Sequence, residues 1–138
     1  LFSLKWADIN LGERLLTIVG KTAKSGHTRY IPLNDEAFAV LVSWRNQSNS
    51  KSWVFPSPAT GERMDNITSS WKNLITDSRI IDFRFHDLRH HFASKLVMAK
   101  VDINTVRELL GHKDIQTTLR YAHLAPKHKA AAVALLNT

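Results

Sequence analysis

His86-Asp87-Leu88-Arg89-His90 is followed along the chain by Leu109-Leu110-Gly111-His112 and, nine residues past His112, by Tyr121. A helix over the first segment sets His86 and Arg89 about one turn apart on one face; His90, four residues from His86, can share that face, while His91 points elsewhere. Leu109-Leu110 reads as the end of another helix, with Gly111 as the residue just past its last turn. The stretch therefore predicts a helical C-terminal half that gathers two imidazoles, a guanidinium and a phenol. Those groups suit attack on a phosphodiester without a metal. A tyrosine supplies an oxygen nucleophile, an arginine a planar fork for phosphate oxygens, and a histidine a proton carrier near neutral pH.

Each motif alone also has an ordinary structural role. His86 and Arg89 fit a solvated helix face, His112 fits a cation at a helix C-terminus, and Tyr121 fits an amphipathic core residue with its hydroxyl at the surface. A sharper rival is a zinc hydrolase. His86 and His90 stand at i and i+4 with an acid beside the first, as in His-Glu-x-x-His. Asp87 is one methylene shorter than the usual glutamate base, and Arg89 places a cation inside the motif. The seven histidines leave a third ligand open.

Composition bounds the partner. The chain has 138 residues, 43% of them hydrophobic, enough for a core of ordinary density and consistent with one compact domain. Nineteen Lys and Arg against twelve Asp and Glu leave a net charge of +7, with a pI near 10.0. This favours a polyanion: a nucleic acid, or an anionic membrane surface. A non-catalytic DNA-binding module fits the same charge. Cysteine is absent, so neither a disulfide framework nor a thiolate metal site is available, and the composition suits the cytosol. No apolar run approaches the roughly 18 residues of a membrane span. The start, Leu1-Phe2-Ser3-Leu4-Lys5-Trp6, resembles no signal peptide and reads as part of a longer protein.

Outward from the C-terminal motifs, the pattern predicts a helix from about Phe85 to Lys100 with Leu88, Phe92, Leu96 and Val97 inward. Asp102 or Asn104 caps a helix ending at Leu110, and Asp114 caps another over Ile115 to about His123. Pro126 opens a last helix, Lys127 to Leu136. Ile67, Trp71, Leu74 and Ile75 share a face of a helix that starts near Asp65 and breaks at Asp77-Ser78-Arg79. Nearer the N-terminus, Leu15 to Val19 and Thr28 to Pro32 are β-branched runs flanking the loop Gly20 to His27, a hairpin signal; a short strand at Ala7 to Asn10 precedes them. Asn34 or Asp35 caps a helix through Ala37, Phe38, Val40, Leu41 and Trp44. The expected fold is mainly α, of the α+β class, with one small antiparallel sheet near the N-terminus.

These segments together resemble the tyrosine recombinase, or phage integrase, family across almost the whole chain. Gly111-His112-Lys113-Asp114 and Thr117-Thr118-Leu119-Arg120-Tyr121 match its C-terminal signature without a gap. His86-Asp87-Leu88-Arg89-His90-His91-Phe92-Ala93-Ser94 is similar to its second conserved box. Lys21 to Pro32 looks like its hairpin with the catalytic lysine, and Leu4 to Ile9 like the segment after its first catalytic arginine.

The resemblance implies a catalytic-domain fragment, residues 1–138, of a DNA strand transferase. Tyr121 attacks the scissile phosphate to give a 3′-phosphotyrosyl link and a free 5′-hydroxyl, and a second 5′-hydroxyl reverses the step. Arg89 and His112 hold the phosphate, and His86 is the expected proton partner of the tyrosine. Lys21 is the acid for the leaving oxygen; Lys24 is an alternative, with Lys21 preferred because Gly20-Lys21 better matches the family's hairpin. Lys24, Arg29, His90, Lys113 and Arg120 are the expected DNA contacts. No cofactor and no metal are expected. Double-stranded DNA is the partner, with a homo-tetramer of the full-length protein assembled on it, accessory DNA-bending proteins a further possibility, and no membrane. The setting is the bacterial cytoplasm, in the integration or excision of a prophage or mobile element. The family's first arginine and its N-terminal DNA-clamping domain are expected before Leu1, and Arg14, in a turn, does not replace that arginine.

Overall fold

The computed structural model describes residues 2–20, 26, 28–125 and 133. Lys21, Lys24 and, apart from residue 133, the helix expected over 127–136 lie outside the described residues. The chain divides into two compact units, residues 1–82 and 83–138.

The first unit is built on a three-stranded antiparallel sheet. A 3-10 turn, Trp6–Asp8, leads into β1 (Ile9–Asn10), which pairs with β2 (Leu15–Ile18), which pairs with β3 (Arg29–Pro32). The register sets Ile9 opposite Leu16 and Leu16 opposite Ile31. The strand expected over 7–10 is thus only its last two residues, because Asp8 folds back to accept the Lys5 N–H and tightens the start into a turn. The turn before β2 carries Arg14 at φ 53°; its guanidinium pairs with Asp35 and lies over the Phe38 ring. α1 (Asp35–Gln47) is capped by Asn34, whose side-chain oxygen accepts the Ala37 N–H at 2.9 Å. Trp6, Ile9 and Val54 form the core, with Leu16, Leu33 and Leu41 packed around them. The Trp44 indole donates to the Val54 carbonyl, tying α1 to the segment that carries Val54. Val40, expected inward, is exposed. In α2 (Thr68–Asp77), Trp71 and Ile75 are half-buried, and Leu74 faces out.

The second unit is helical. α3 (Asp87–Met98) packs on α4 (Ile103–Leu110); α5 (Gln116–Leu119) and a 3-10 turn, Ala122–Leu124, follow. Its core is Ala93, Val97, Val106, Leu110 and Tyr121, with Leu96, Val101, Ile103 and Leu124 against it. The inward face of α3 follows the sequence expectation at Leu96 and Val97 and departs from it at Leu88 and Phe92, which are exposed, whereas Ala93 is fully buried. Two stripes of α3 have helical spacing. The one that packs is Arg89, Ala93, Val97, where the small Ala93 lets the helices approach and Arg89 bonds to the end of α4. The helix expected over Ile115 to His123 is also broken up. Thr118, Tyr121 and Leu124 each donate to the carbonyl three residues back, so the segment winds in tight turns and Tyr121 falls at the joint between two of them.

Leu110 is nearly fully buried at the centre of this core. Leu110→Ala should lower stability by about 2–5 kcal/mol, read as a shift of the urea midpoint with an unchanged slope.

Candidate active site

The site grows from the two ends of the α3–α4 pair. Asp102 starts α4, its carboxylate accepting the N–H groups of Asn104 and Thr105 at 3.0 and 2.7 Å. Those bonds hold the Asp102 pKa below the ordinary carboxylate value, the Thr105 hydroxyl contributing most. Gly111 ends the helix at φ 67°, a left-handed conformation that favours glycine. The Gly111 N–H then reaches the Glu108 carbonyl (3.0 Å) and the His112 N–H the Arg107 carbonyl (3.1 Å). This pair of bonds is a Schellman closure, and it fixes His112 as the first residue leaving the helix.

The side chain of His112 is oriented by a second contact. Its Nδ1 lies 2.8 Å from the hydroxyl oxygen of Thr118, a residue with no exposed surface. Lys113 and Asp114 make the turn between them, with Asp114 accepting the Gln116 N–H at 2.9 Å. Arg89, in the first turn of α3, donates from Nη2 to the Leu110 carbonyl, so the guanidinium sits where the turn to His112 begins.

Tyr121 closes the site. It is 6% exposed, and its hydroxyl oxygen lies 2.5 Å from Nδ1 of His90. His86, at the N-cap of α3 but in helical backbone geometry (φ −68°, ψ −23°), meets the His90 ring edge-on, with centroids 4.9 Å apart. Arg120 places its guanidinium 5.9 Å from the centre of the Tyr121 ring. Burial lowers the His90 pKa below its ordinary value, and the neighbouring His86 and Arg120 charges add to this; Asp87 opposes it. Asp87 is held deprotonated by the Arg84 backbone N–H at 2.8 Å and by the Arg84 guanidinium.

Arg89, His112, Tyr121, His86 and His90 are therefore brought together within the second unit. The pairing inside the group differs from the sequence expectation. His90, expected at DNA, is the imidazole bonded to Tyr121, while His86 has no hydrogen bond to Tyr121. Lys113 and Arg120 are exposed. Arg29 lies half-buried in β3 of the first unit. Sequence reasoning missed Thr118 and the Leu110 carbonyl. The first had a signal, being a β-branched hydroxyl residue one turn before Tyr121; the second had none, since every residue carries a carbonyl. Among the described residues no group of three or more His, Cys, Asp or Glu is placed to hold a metal, and none of their helices is long and apolar enough to cross a membrane.

Residues 1–128 match the model of the phage integrase family. The chain belongs to that family. It is 34% identical to the integrase of Salmonella phage P22 over 140 residues, which cover 93% of this chain and 36% of that protein. It is 37% identical to the tyrosine recombinase XerC of Xanthomonas axonopodis pv. citri (strain 306) over 134 residues, 94% of this chain and 43% of the relative. Among solved structures, the catalytic domain of bacteriophage HP1 integrase superposes with a TM-score of 0.67 at 29% identity, covering 96% of this chain and 69% of that one. The chain thus spans less than half the length of these two curated relatives. The mixed architecture, helical with a small antiparallel sheet, is that of this family's catalytic domains, as the sequence predicts; the zinc hydrolase and the non-catalytic module are not favoured.

The charges around His90 make its titration a probe of the site. Because its folded pKa is depressed, its contribution to stability is complete above about pH 6.5, the unfolded value, and declines as acid protonates the unfolded chain first. His86→Asn should raise the His90 pKa and Asp87→Asn should lower it further, each followed by NMR titration of the imidazole.

Proposed function

We propose that this chain carries the strand-transfer chemistry of a site-specific DNA recombinase. Tyr121 is the nucleophile: its oxygen attacks a backbone phosphate of double-stranded DNA, giving a 3′-phosphotyrosyl link and releasing a 5′-hydroxyl, and attack by another 5′-hydroxyl regenerates the tyrosine. The observation that carries this reading is a set of three hydrogen-bonded pairs in the second unit. Arg89 meets the Leu110 carbonyl, His112 meets Thr118, and Tyr121 meets His90. Each reactive group is thereby held by a neighbour, which is the preorganisation that phosphoryl transfer demands.

In this reading the Arg89 guanidinium binds non-bridging oxygens, where negative charge accumulates as phosphorus becomes five-coordinate. One of its five donors serves the Leu110 carbonyl, and the fork has others to offer. His112, with Nδ1 at Thr118, addresses the same phosphate through Nε2. Lys21, or Lys24 in its place, protonates the leaving 5′-oxygen. Guanidinium and imidazoles meet the charge demand, so the reaction requires no metal and no nucleotide cofactor, and the phosphoester bond energy stays in the protein link. Lys24, Arg29, Lys113 and Arg120 contact DNA phosphates. The two units belong to one catalytic domain of a longer recombinase, which assembles as a tetramer on DNA in the bacterial cytoplasm, in the integration or excision of a prophage or mobile element.

Covalent capture tests the nucleophile. The gene-encoded protein mixed with a suicide DNA substrate should form a protein–DNA adduct through Tyr121, and Tyr121→Phe should abolish it with DNA affinity nearly unchanged. An adduct formed by the Phe variant would remove Tyr121 from this role. The 138-residue chain, with its net charge of +7, should bind DNA weakly and with little sequence preference. Its log affinity should fall linearly with log salt, with a slope of about −0.9 per phosphate contacted; flat binding between low and moderate salt would argue against phosphate contacts as the source of affinity.

A further inference from the structure

We propose that Thr118 is a positioning residue for strand transfer: its hydroxyl donates to His112 Nδ1, 2.8 Å away, and so keeps the proton of the neutral imidazole on Nε2. His112 then meets a phosphate oxygen as a hydrogen-bond donor. The inference rests on the reading of His112 as a phosphate-binding group and states which of its nitrogens carries the proton.

The hydrogens at Thr118 decide the tautomer. Thr118 has no exposed surface, so bulk water does not serve its hydroxyl, and among the described residues that hydroxyl has one hydrogen-bond partner, His112 Nδ1. A threonine in a helical turn often bends its hydroxyl back to the carbonyl three or four residues earlier. Here the carbonyl three residues back, that of Ile115, already accepts the N–H groups of Thr118 and Leu119 at 2.8 and 2.9 Å, which occupies both of its lone pairs. The carbonyl four back, that of Asp114, takes the Thr117 N–H. With the ring proton on Nδ1, that N–H would donate to Oγ1, and the hydroxyl hydrogen would point into the core without an acceptor. Folded proteins avoid such a buried, unmet donor. With Nδ1 as the acceptor the pair is matched, and the ring's one proton sits on Nε2.

The backbone of Thr118 adds a second tie. Its carbonyl accepts the Tyr121 N–H at 3.0 Å, so one fully buried residue holds the His112 ring by its side chain and the Tyr121 main chain by its carbonyl. The Gly111 terminus fixes where His112 leaves α4, and the Thr118 hydroxyl fixes how the ring is turned. A β-branched side chain is stiff at χ1, so the hydroxyl is aimed before any substrate arrives. Negative charge accumulates on the non-bridging oxygens as phosphorus becomes five-coordinate. A donor that already carries its proton at Nε2 stabilises that charge with nothing to rearrange. In the other tautomer the Nε2 lone pair would face the same oxygens and repel them.

Two substitutions separate the hydroxyl from the shape. Thr118→Val keeps the branched outline and removes the hydroxyl, whereas Thr118→Ser keeps the hydroxyl and removes a methyl. In single-turnover cleavage by the gene-encoded protein, Thr118→Val should slow phosphotyrosine formation by about 10-fold, with DNA affinity near wild type. That is less than the roughly 100-fold lost with a whole donor, because the ring still visits the productive tautomer. Thr118→Ser should keep most of the rate. A Val variant as fast as wild type overturns the proposal by making the hydroxyl dispensable; a Ser variant slower than the Val variant overturns it by making the role one of packing. Imidazole nitrogen NMR of the DNA-free protein, at a pH where the ring is neutral and with the signals assigned by their loss in His112→Gln, reads the tautomer directly. His112 should show a protonated Nε2 and a bare Nδ1, Thr118→Val should show both tautomers, and Thr118→Ser should restore the single form. A protonated Nδ1 in the wild type, or a spectrum unmoved by Thr118→Val, overturns the inference. A wild type that forms no adduct overturns the nucleophile reading while the NMR still judges this inference, and an adduct with an unmoved tautomer overturns this inference alone.

Discussion

The hydrogen bond from the Arg89 guanidinium to the Leu110 carbonyl sets the geometry of the second unit. The last carbonyls of a helix have no partner within it, and a cation placed there also meets the negative end of the helix dipole. Arg89 satisfies both conditions at the end of α4 while rooted in the first turn of α3. One interaction thus sets the start of one helix against the finish of another. Gly111 follows immediately with its left-handed turn, and His112 leaves the helix at a position fixed by the Glu108 and Arg107 carbonyls.

Structure and chemistry share the same residues here. Tyr121 belongs to the core with Ala93, Val97, Val106 and Leu110, and the fully buried Thr118 spends its hydroxyl on His112. The hydroxyls of Tyr121 and Thr118, drawn into or against this core, each meet a histidine nitrogen, as burial of a polar group demands. A change at Val106 or Leu110 therefore reaches the reactive groups through packing, with no contact to a substrate, because close-packed interiors pass on displacements of a fraction of an ångström.

The electrostatics run in one direction. His86, Arg120 and Arg84 lie near His90 with Asp87 as the acid among them, so the neighbourhood resists a further proton on His90. An environment that disfavours added positive charge is one that welcomes an anion, and a phosphate brought against Arg89 and His112 would relieve the same repulsion.

Much of this was legible in the residues alone. The Gly111 terminus, the Asp102 and Asn34 caps and the antiparallel hairpin around β2 and β3 follow from local rules that act over a few residues, and the identities and order of Arg89, His112 and Tyr121 carry the family signature directly. What the sequence left undecided was which of two equally periodic stripes of α3 turns inward, and which histidine meets the tyrosine. Leu88 and Phe92 are the more apolar side chains, yet Arg89, Ala93 and Val97 pack, with Leu96 at their edge, because a small residue permits close approach and the Arg89 bond to a backbone carbonyl requires that face. Once the face is chosen, His90 falls beside Tyr121, and His86 one turn earlier meets the His90 ring edge-on. Periodicity names the residues that share a face; only packing against α4 decides which face it is.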